Sequence, residues 1–261
     1  MKRIVVAVVF LVLTHSAFAG LAYNFESVTK GLRRSTISGS AQAEGDRFRM
    51  NIVRGDGFTF ADNSFVISHD GGKTLFVGDP ASKTYYQLDF GEASASAASL
   101  FKQLGFLNFK ISNPKVASRD LGKGEPIAGY PTQHNQVSSS FAMSVGSGPQ
   151  AMKIGISMST DSWVTDRIPA ALTNVLQKQS IATGIAEVDK LIAAQSANAK
   201  GFPLKQVTTF RIEQNGRTNE SVTTTMIRNV AQKSFAPADF ALPAGYKKTL
   251  SPLEKMMKAI Q

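Results

Sequence analysis

Residues 47–53 read R-F-R-M-N-I-V, with Phe48, Met50 and Ile52 at alternate positions and Arg47, Arg49 and Asn51 between them. Period-two alternation is the mark of a strand with one dry face and one wet face, and a helix cannot satisfy it. Phe65 and Ile67 repeat the pattern, with His69 at the strand end. D-G-G-K at 70–73 is a hairpin signal, and Leu75 and Val77 follow it. Tyr86 and Leu88 continue one alternate face in T-Y-Y-Q-L-D. Short strands joined by tight turns predict an antiparallel meander.

Further strands are expected over 109–112, 115–121, 134–145, 151–160, 204–214 and 220–230, which brings the count to about ten. In 151–160, Met152, Ile154, Ile156 and Met158 alternate with Lys153, Gly155, Ser157 and Ser159. Q-N-G-R at 214–217 suits a tight hairpin between the last two strands. Three stretches have helical spacing instead. Residues 94–106 carry Leu100, Phe101 and Leu104 on one side. Residues 167–180 follow an Asp166 cap and carry Ile168, Leu172, Val175 and Leu176. Residues 185–198 carry Ile185, Val188, Leu191 and Ile192. The C-terminal S-P-L-E-K-M-M-K-A-I-Q has a capping box of Ser251 and Glu254 with Pro252 at the first helical position. There Leu253, Met256, Met257 and Ile260 form an apolar stripe, suited to closing the domain or to meeting a membrane or partner.

The N-terminus sets the expected address. Lys2 and Arg3 precede ten apolar residues, and Ala17-Phe18-Ala19 is a small-x-small cleavage site, so residues 1–19 read as a signal peptide. Ten residues rise only about 15 Å as a helix, half of a ~30 Å hydrocarbon core. Cleavage after Ala19 would leave 242 of the 261 residues, with 20–250 as one domain and 251–261 as an amphipathic helix. The expected location is the periplasm, without a lipid anchor, since the sequence has no cysteine to carry one. Stability must then come from a core and not from disulfides. The net charge of +10 falls to +8 without Lys2 and Arg3, which serves solubility or an anionic membrane surface or acidic partner. Nucleic acid is not expected, because no basic cluster interleaves with aromatics.

The residues offer little chemistry. His69 and His134 are the histidines beyond the signal peptide, and neither has a G-x-S-x-G nucleophile or a metal-ligand partner at the right spacing. Both are expected to be solvated strand-end residues. Asp161 and Asp166 bracket Trp163, which reads as a strand end, a packed aromatic and a helix cap. Asp46, Asp56, Asp62 and Asp70 sit near turn glycines and read as turn residues. No enzyme activity and no cofactor are expected.

The segments D-G-G-K-T-L-F-V-G-D-P-A-S-K-T-Y-Y-Q-L-D, P-I-A-G-Y-P-T-Q-H-N-Q-V, D-S-W-V-T-D-R-I-P, K-G-F-P-L-K-Q-V and F-A-P-A-D-F-A-L-P-A-G-Y-K-K occur in that order. Together they resemble an exported bacterial domain family of unknown function whose members look like the periplasmic lipoprotein carriers LolA and LolB. The resemblance implies an α+β fold: a curved, unclosed antiparallel β-barrel covered by helices, with an apolar concave face that holds acyl chains in the carriers.

The leading expectation is therefore an envelope binding module for a lipid or acyl chain. Its lining would be Phe48, Met50, Ile52, Phe65, Ile67, Tyr86 and Leu88, with Leu100, Phe101 and Leu104 from a lid. The alternative is a structural or interaction protein with a solid core, which meets an envelope protein or membrane through its basic surface or through Leu253, Met256, Met257 and Ile260. A hydrolase using carboxylates near Trp163 ranks last.

Overall fold

Turn residues set the sheet. Asn215 and Gly216 take φ of 51° and 73°, the left-handed pair that a two-residue hairpin requires. They join β10 (Phe202–Gln214) to β11 (Arg217–Lys233). Gly71 and Gly72, at φ 70° and 88°, turn β4 (Phe65–Ser68) into β5 (Thr74–Asp79). Asp70 supports that turn by accepting hydrogen bonds from Thr74 N at 3.0 Å and Ser68 Oγ at 2.9 Å. The computed structural model describes residues 20–31, 34–57, 60–89, 91, 110–148, 151–168, 189, 190, 193, 201–252, 254, 255 and 258.

The remaining strands are β1 (Gly20–Gly31), β2 (Ser35–Glu44), β3 (Arg47–Arg54), β6 (Thr84–Asp89), β7 (Lys110–Lys123), β8 (Gln133–Val145), β9 (Met152–Thr165) and β12 (Lys247–Lys248). All twelve form one sheet in the order β12-β6-β5-β4-β3-β2-β1-β11-β10-β9-β8-β7. Neighbours are antiparallel except β12, which runs parallel to β6. The N-terminal strand lies in the middle. It pairs with β2 on one side and β11 on the other, so two meanders meet at a β1–β11 seam. The sheet is unclosed, with β7 and β12 as its edges.

The expected α+β half-barrel of about ten strands under helical cover is corrected by this arrangement. Among the described residues the protein is nearly all β, and no helix covers the sheet. The expected strands 109–112 and 115–121 are one strand, β7, with a register shift between Ser112 and Lys115. Asn113 there takes φ 54° and Pro114 donates no hydrogen bond, which the sequence alone reads as a break. β2 is mostly serine, alanine and glycine, with Ile37 its one large apolar residue, and lacks the contrast that marks a strand. β12 is too short to show a period. Apolar stripes at helical spacing also fail to reveal what they cover. The signal peptide at 1–19, all of 94–106 and nearly all of 167–180 and 185–198 lie outside the described residues.

Residues opposite one another in register share a face. Phe48, Met50 and Ile52 face inward with Val66, Leu75 and Val77, and Tyr86 and Leu88 pack against them. A second cluster joins Leu21, Ile127, Ile168, Phe202, Leu204 and Ile227. Tyr23 and Phe25 on β1 touch both clusters. Burial of Tyr23 pushes its hydroxyl up to about 12.

The outer face of the first meander is also covered, by the segment that follows β11. Phe240, in a 3₁₀ turn at Pro237–Phe240, is fully buried, with the Arg47 guanidinium 5.0 Å from its ring. His69 Nε2 donates to Phe240 O at 2.8 Å, and Tyr246 packs on Phe65 at 5.5 Å. Lys247 N and Thr249 N then bond to Lys83 O and Tyr85 O, which makes β12. This strap is the F-A-P-A-D-F-A-L-P-A-G-Y-K-K segment, and it explains why all four residues of β4 are buried.

Candidate functional site

The apolar lining expected from sequence is brought together in part. Phe48 and Ile52 are 3% and 1% exposed, so in this structure they are sealed core. Phe65 and Ile67 do not share their face. They lie opposite Asn51 and Arg49, on the strap side, which corrects the single-face reading. The cause is local: F-V-I-S places apolar residues on both alternations, Phe65 and Ile67 on one and Val66 on the other, and is too short for period two to choose the core side. Leu100, Phe101 and Leu104 lie outside the described residues, as do Leu253, Met256, Met257 and Ile260. The capping box before that last group is present: Ser251 N donates to Glu254 Oε2 at 2.6 Å, and Glu254 N donates to Ser251 Oγ at 3.2 Å. These bonds hold the Glu254 carboxyl below its usual range.

The inner face of the second meander differs. Register carries it from Phe210 and Ile212 on β10 to Met158 and Ile156 on β9, then to Phe141 on β8 opposite Ile156. Ile154 and Met143 pair beyond them, and Ile111 on β7 faces Met143. All of these are half-buried. Toward the β1–β11 seam the same face turns to hydroxyls, which bond across strands as Ser27–Thr225 at 3.0 Å, Thr29–Thr223 at 2.9 Å and Thr160–Thr208 at 3.0 Å. The arrangement is an apolar track with a hydrogen-bonded hydroxyl border.

The track's polar end opens into a cavity of about 730 Å³. Ser118, Asp120, Gln133, Asn135 and Val137 line it from β7 and β8, with Lys123, Arg167 and Gly201 around the rim. Asp120 Oδ1 accepts from Gly122 N at 2.8 Å and from Gln133 Nε2.

On the opposite face, β8, β9 and β10 assemble a cluster of which sequence reading joined only Asp161 and Trp163. The His134 ring stacks on Trp163, with centroids 4.2 Å apart and planes 9° from parallel. His134 Nε2 lies 2.9 Å from Asp161 Oδ1; a carboxylate only accepts, so this nitrogen carries the proton. Lys205 Nζ sits 4.3 Å from the Trp163 centroid and 2.6 Å from Glu125 Oε1. His134 lies at the start of β8, as expected, but is a packed, bonded side chain and not a solvated one, its side chain 22% exposed. Asp161 lies within β9 and not at its end. No nucleophile accompanies the pair among the contacts described, and the indole is flanked by His134 and Lys205. The cluster ties three strands together. Only register, which places residues 134, 163 and 205 side by side, could have revealed it.

A family described as a domain of unknown function (DUF4412) matches residues 42–246. The chain belongs to this family. The DUF4412 span holds β3 to β11 and most of the strap, so the track, the cavity and the His134 cluster are all built within it. No curated protein matches the chain. Among solved structures, a LolA superfamily protein from Nitrosomonas europaea is similar at 7% identity and a TM-score of 0.31, covering 86% of this chain and 90% of that one. MucB in complex with MucA(peri) is similar at 9% identity and a TM-score of 0.23, covering 83% and 94%. A MucA/MucB complex from Pseudomonas aeruginosa gives the same identity and score, covering 82% and 94%. Likenesses of this degree carry no weight for function.

Proposed function

We propose that the protein is a non-enzymatic binding module of the bacterial envelope whose ligand is the acyl chain of a lipid, held along the inner face of β7 to β10. The observation that carries this is the registered track Phe210–Ile212, Met158–Ile156 and Phe141–Met143, half-buried where the first meander's inner face is closed. Phe141 to Met143, with Ser139 and Val137 before them, runs along one strand for about 20 Å at ~3.3 Å per residue, room for a long chain. Binding would be driven by apolar burial at about 25 cal/mol per Å².

The test is native mass spectrometry with lipid extraction on protein purified from its own envelope, together with uptake of a fluorescent fatty acid. The expected result is a co-purifying amphiphile near one per chain, and uptake that Ile156→Asp abolishes while the circular dichroism stays that of the folded protein. Met50→Ala, in the closed core, should lower stability and leave uptake per folded molecule unchanged. Folded wild-type protein that carries no amphiphile and takes up no fatty acid would end the proposal.

A further inference from the structure

Resting on the acyl-chain reading, we infer that the cavity at the polar end of the track is a headgroup site, and that the amphiphile it takes is a phospholipid held through its phosphate. Three observations combine. First, cavity and track are continuous. Gln133, Asn135 and Val137 alternate on the inner face of β8, and the same alternation continues to Ser139, Phe141 and Met143. Val137 lines the cavity and faces Thr160 on β9, two residues along from Met158 of the track. One molecule with a polar end and an apolar tail fits that sequence of surfaces.

Second, the charge at the rim favours an anion. Arg119, Lys123 and Arg167 line the cavity against Asp120 and Asp166. The carboxylates already have partners. Asp120 accepts from Gly122 N and Gln133 Nε2, and Asp166 lies 3.9 Å from Arg167 with both side chains open to water. Such an exposed pair is weak and leaves the guanidinium able to bind a stronger acceptor. Lys123 shares the inner face with Gln133 through their register pairing. A guanidinium and an ammonium lining one cavity suit a phosphate oxygen set, which accepts charge-assisted hydrogen bonds from both.

Third, neutral polar groups complete the surround. Asn135 and Ser118 lie on the wall of the same cavity. At about 730 Å³ the space exceeds what a bare phosphate fills and accommodates a glycerophosphate group.

The experiment compares two fluorescent chains of equal length, one ending in a phosphate monoester and one in an alcohol, on the full protein and on the Lys123→Gln/Arg167→Gln variant. Both substituted residues are exposed, so the fold is expected to survive. Wild type should bind the phosphate-ended chain about tenfold tighter or better. The preference should shrink as salt rises to ~1 M, where screening acts within about 3 Å. In the variant the two chains should bind equally, with alcohol-chain affinity unchanged. Equal binding by wild type, or a preference that persists in the variant, overturns the headgroup site and leaves the acyl-chain track standing. Failure of both chains to bind folded wild type removes the track and the headgroup site together.

Discussion

The two meanders use the same antiparallel pairing to opposite ends. In β3 to β5 the inner face is closed core, flanked by half-buried Tyr86 and Leu88 of β6, and the outer face lies under the strap, so even the four residues of β4 are hidden. In β7 to β10 the strands run to thirteen or fourteen residues, yet most of their side chains are only half-buried on either face. The outer positions of β8 and β9 are small: Ser138, Ser140 and Ala142 face Ser159, Ser157 and Gly155. One half concentrates burial and the other spreads it thin. The first therefore supplies most of the buried core, and the second keeps its apolar residues half-open, the property on which the proposed acyl-chain track rests.

The contrast is open to attack at its strongest point. Phe48→Ala should cost about 3–5 kcal/mol in urea unfolding, the range for an aromatic removed from a closed core. Phe141→Ala, at a half-buried site, should cost about 1 kcal/mol. Equal losses would erase the distinction between the halves. Phe240→Ala comes next, with an expected loss of about 3 kcal/mol. Because this ring anchors the strap, hydrogen exchange should quicken at β4 amides and stay unchanged in β8 and β9; uniform quickening would mean that the strap is not a local cover.

A smaller effect is expected at Gly78, where an added Cβ would stand 2.0 Å from the Phe65 ring. Gly78→Ala should destabilise by about 1–3 kcal/mol, because the ring is pinned between Arg49 and Tyr246 and cannot retreat freely. A neutral effect in thermal melts would show that the strap yields. The last prediction leaves neutral stability untouched. Tyr23 ionises only near 12 in the folded protein, against 10.0 when unfolded. A raised phenol value gives stability that is complete below pH 10 and is lost as pH climbs toward 12. Tyr23→Phe should flatten that alkaline decline, read by absorbance at the phenolate band and by circular dichroism.

Much of the strand pattern was legible because it is local. The Asn215-Gly216 turn, the Gly71-Gly72 turn and the Ser251–Glu254 box each follow from a few adjacent residues. Arg47 to Ile52 announced its own two faces. What stayed hidden depends on partners far along the chain. β4 carries apolar residues on both alternations, so its side was decided by β3 and by a strap some 170 residues away, as His69 and Phe240 show. Leu204 is fully buried because a register shift between Pro203 and Lys205 re-aims it, and no sequence period marks that shift. The His134–Asp161 pair spans 27 positions and exists only through the β8–β9 register. The apolar track was visible as the Ile154, Ile156, Met158 alternation. Its exposure, which makes it a candidate site, was not.

The central place of β1 sets an order of events during synthesis. Gly20 pairs with Lys233, so the first strand made waits for almost the last. Until β11 emerges, β1 to β6 stand with one raw margin, and β7 to β10 have no neighbour to dock on. Such long-range closure is slow to form. A nascent or truncated chain that stops short of residue 217 would keep that margin bare, and its natural fate is to stick to another copy of itself.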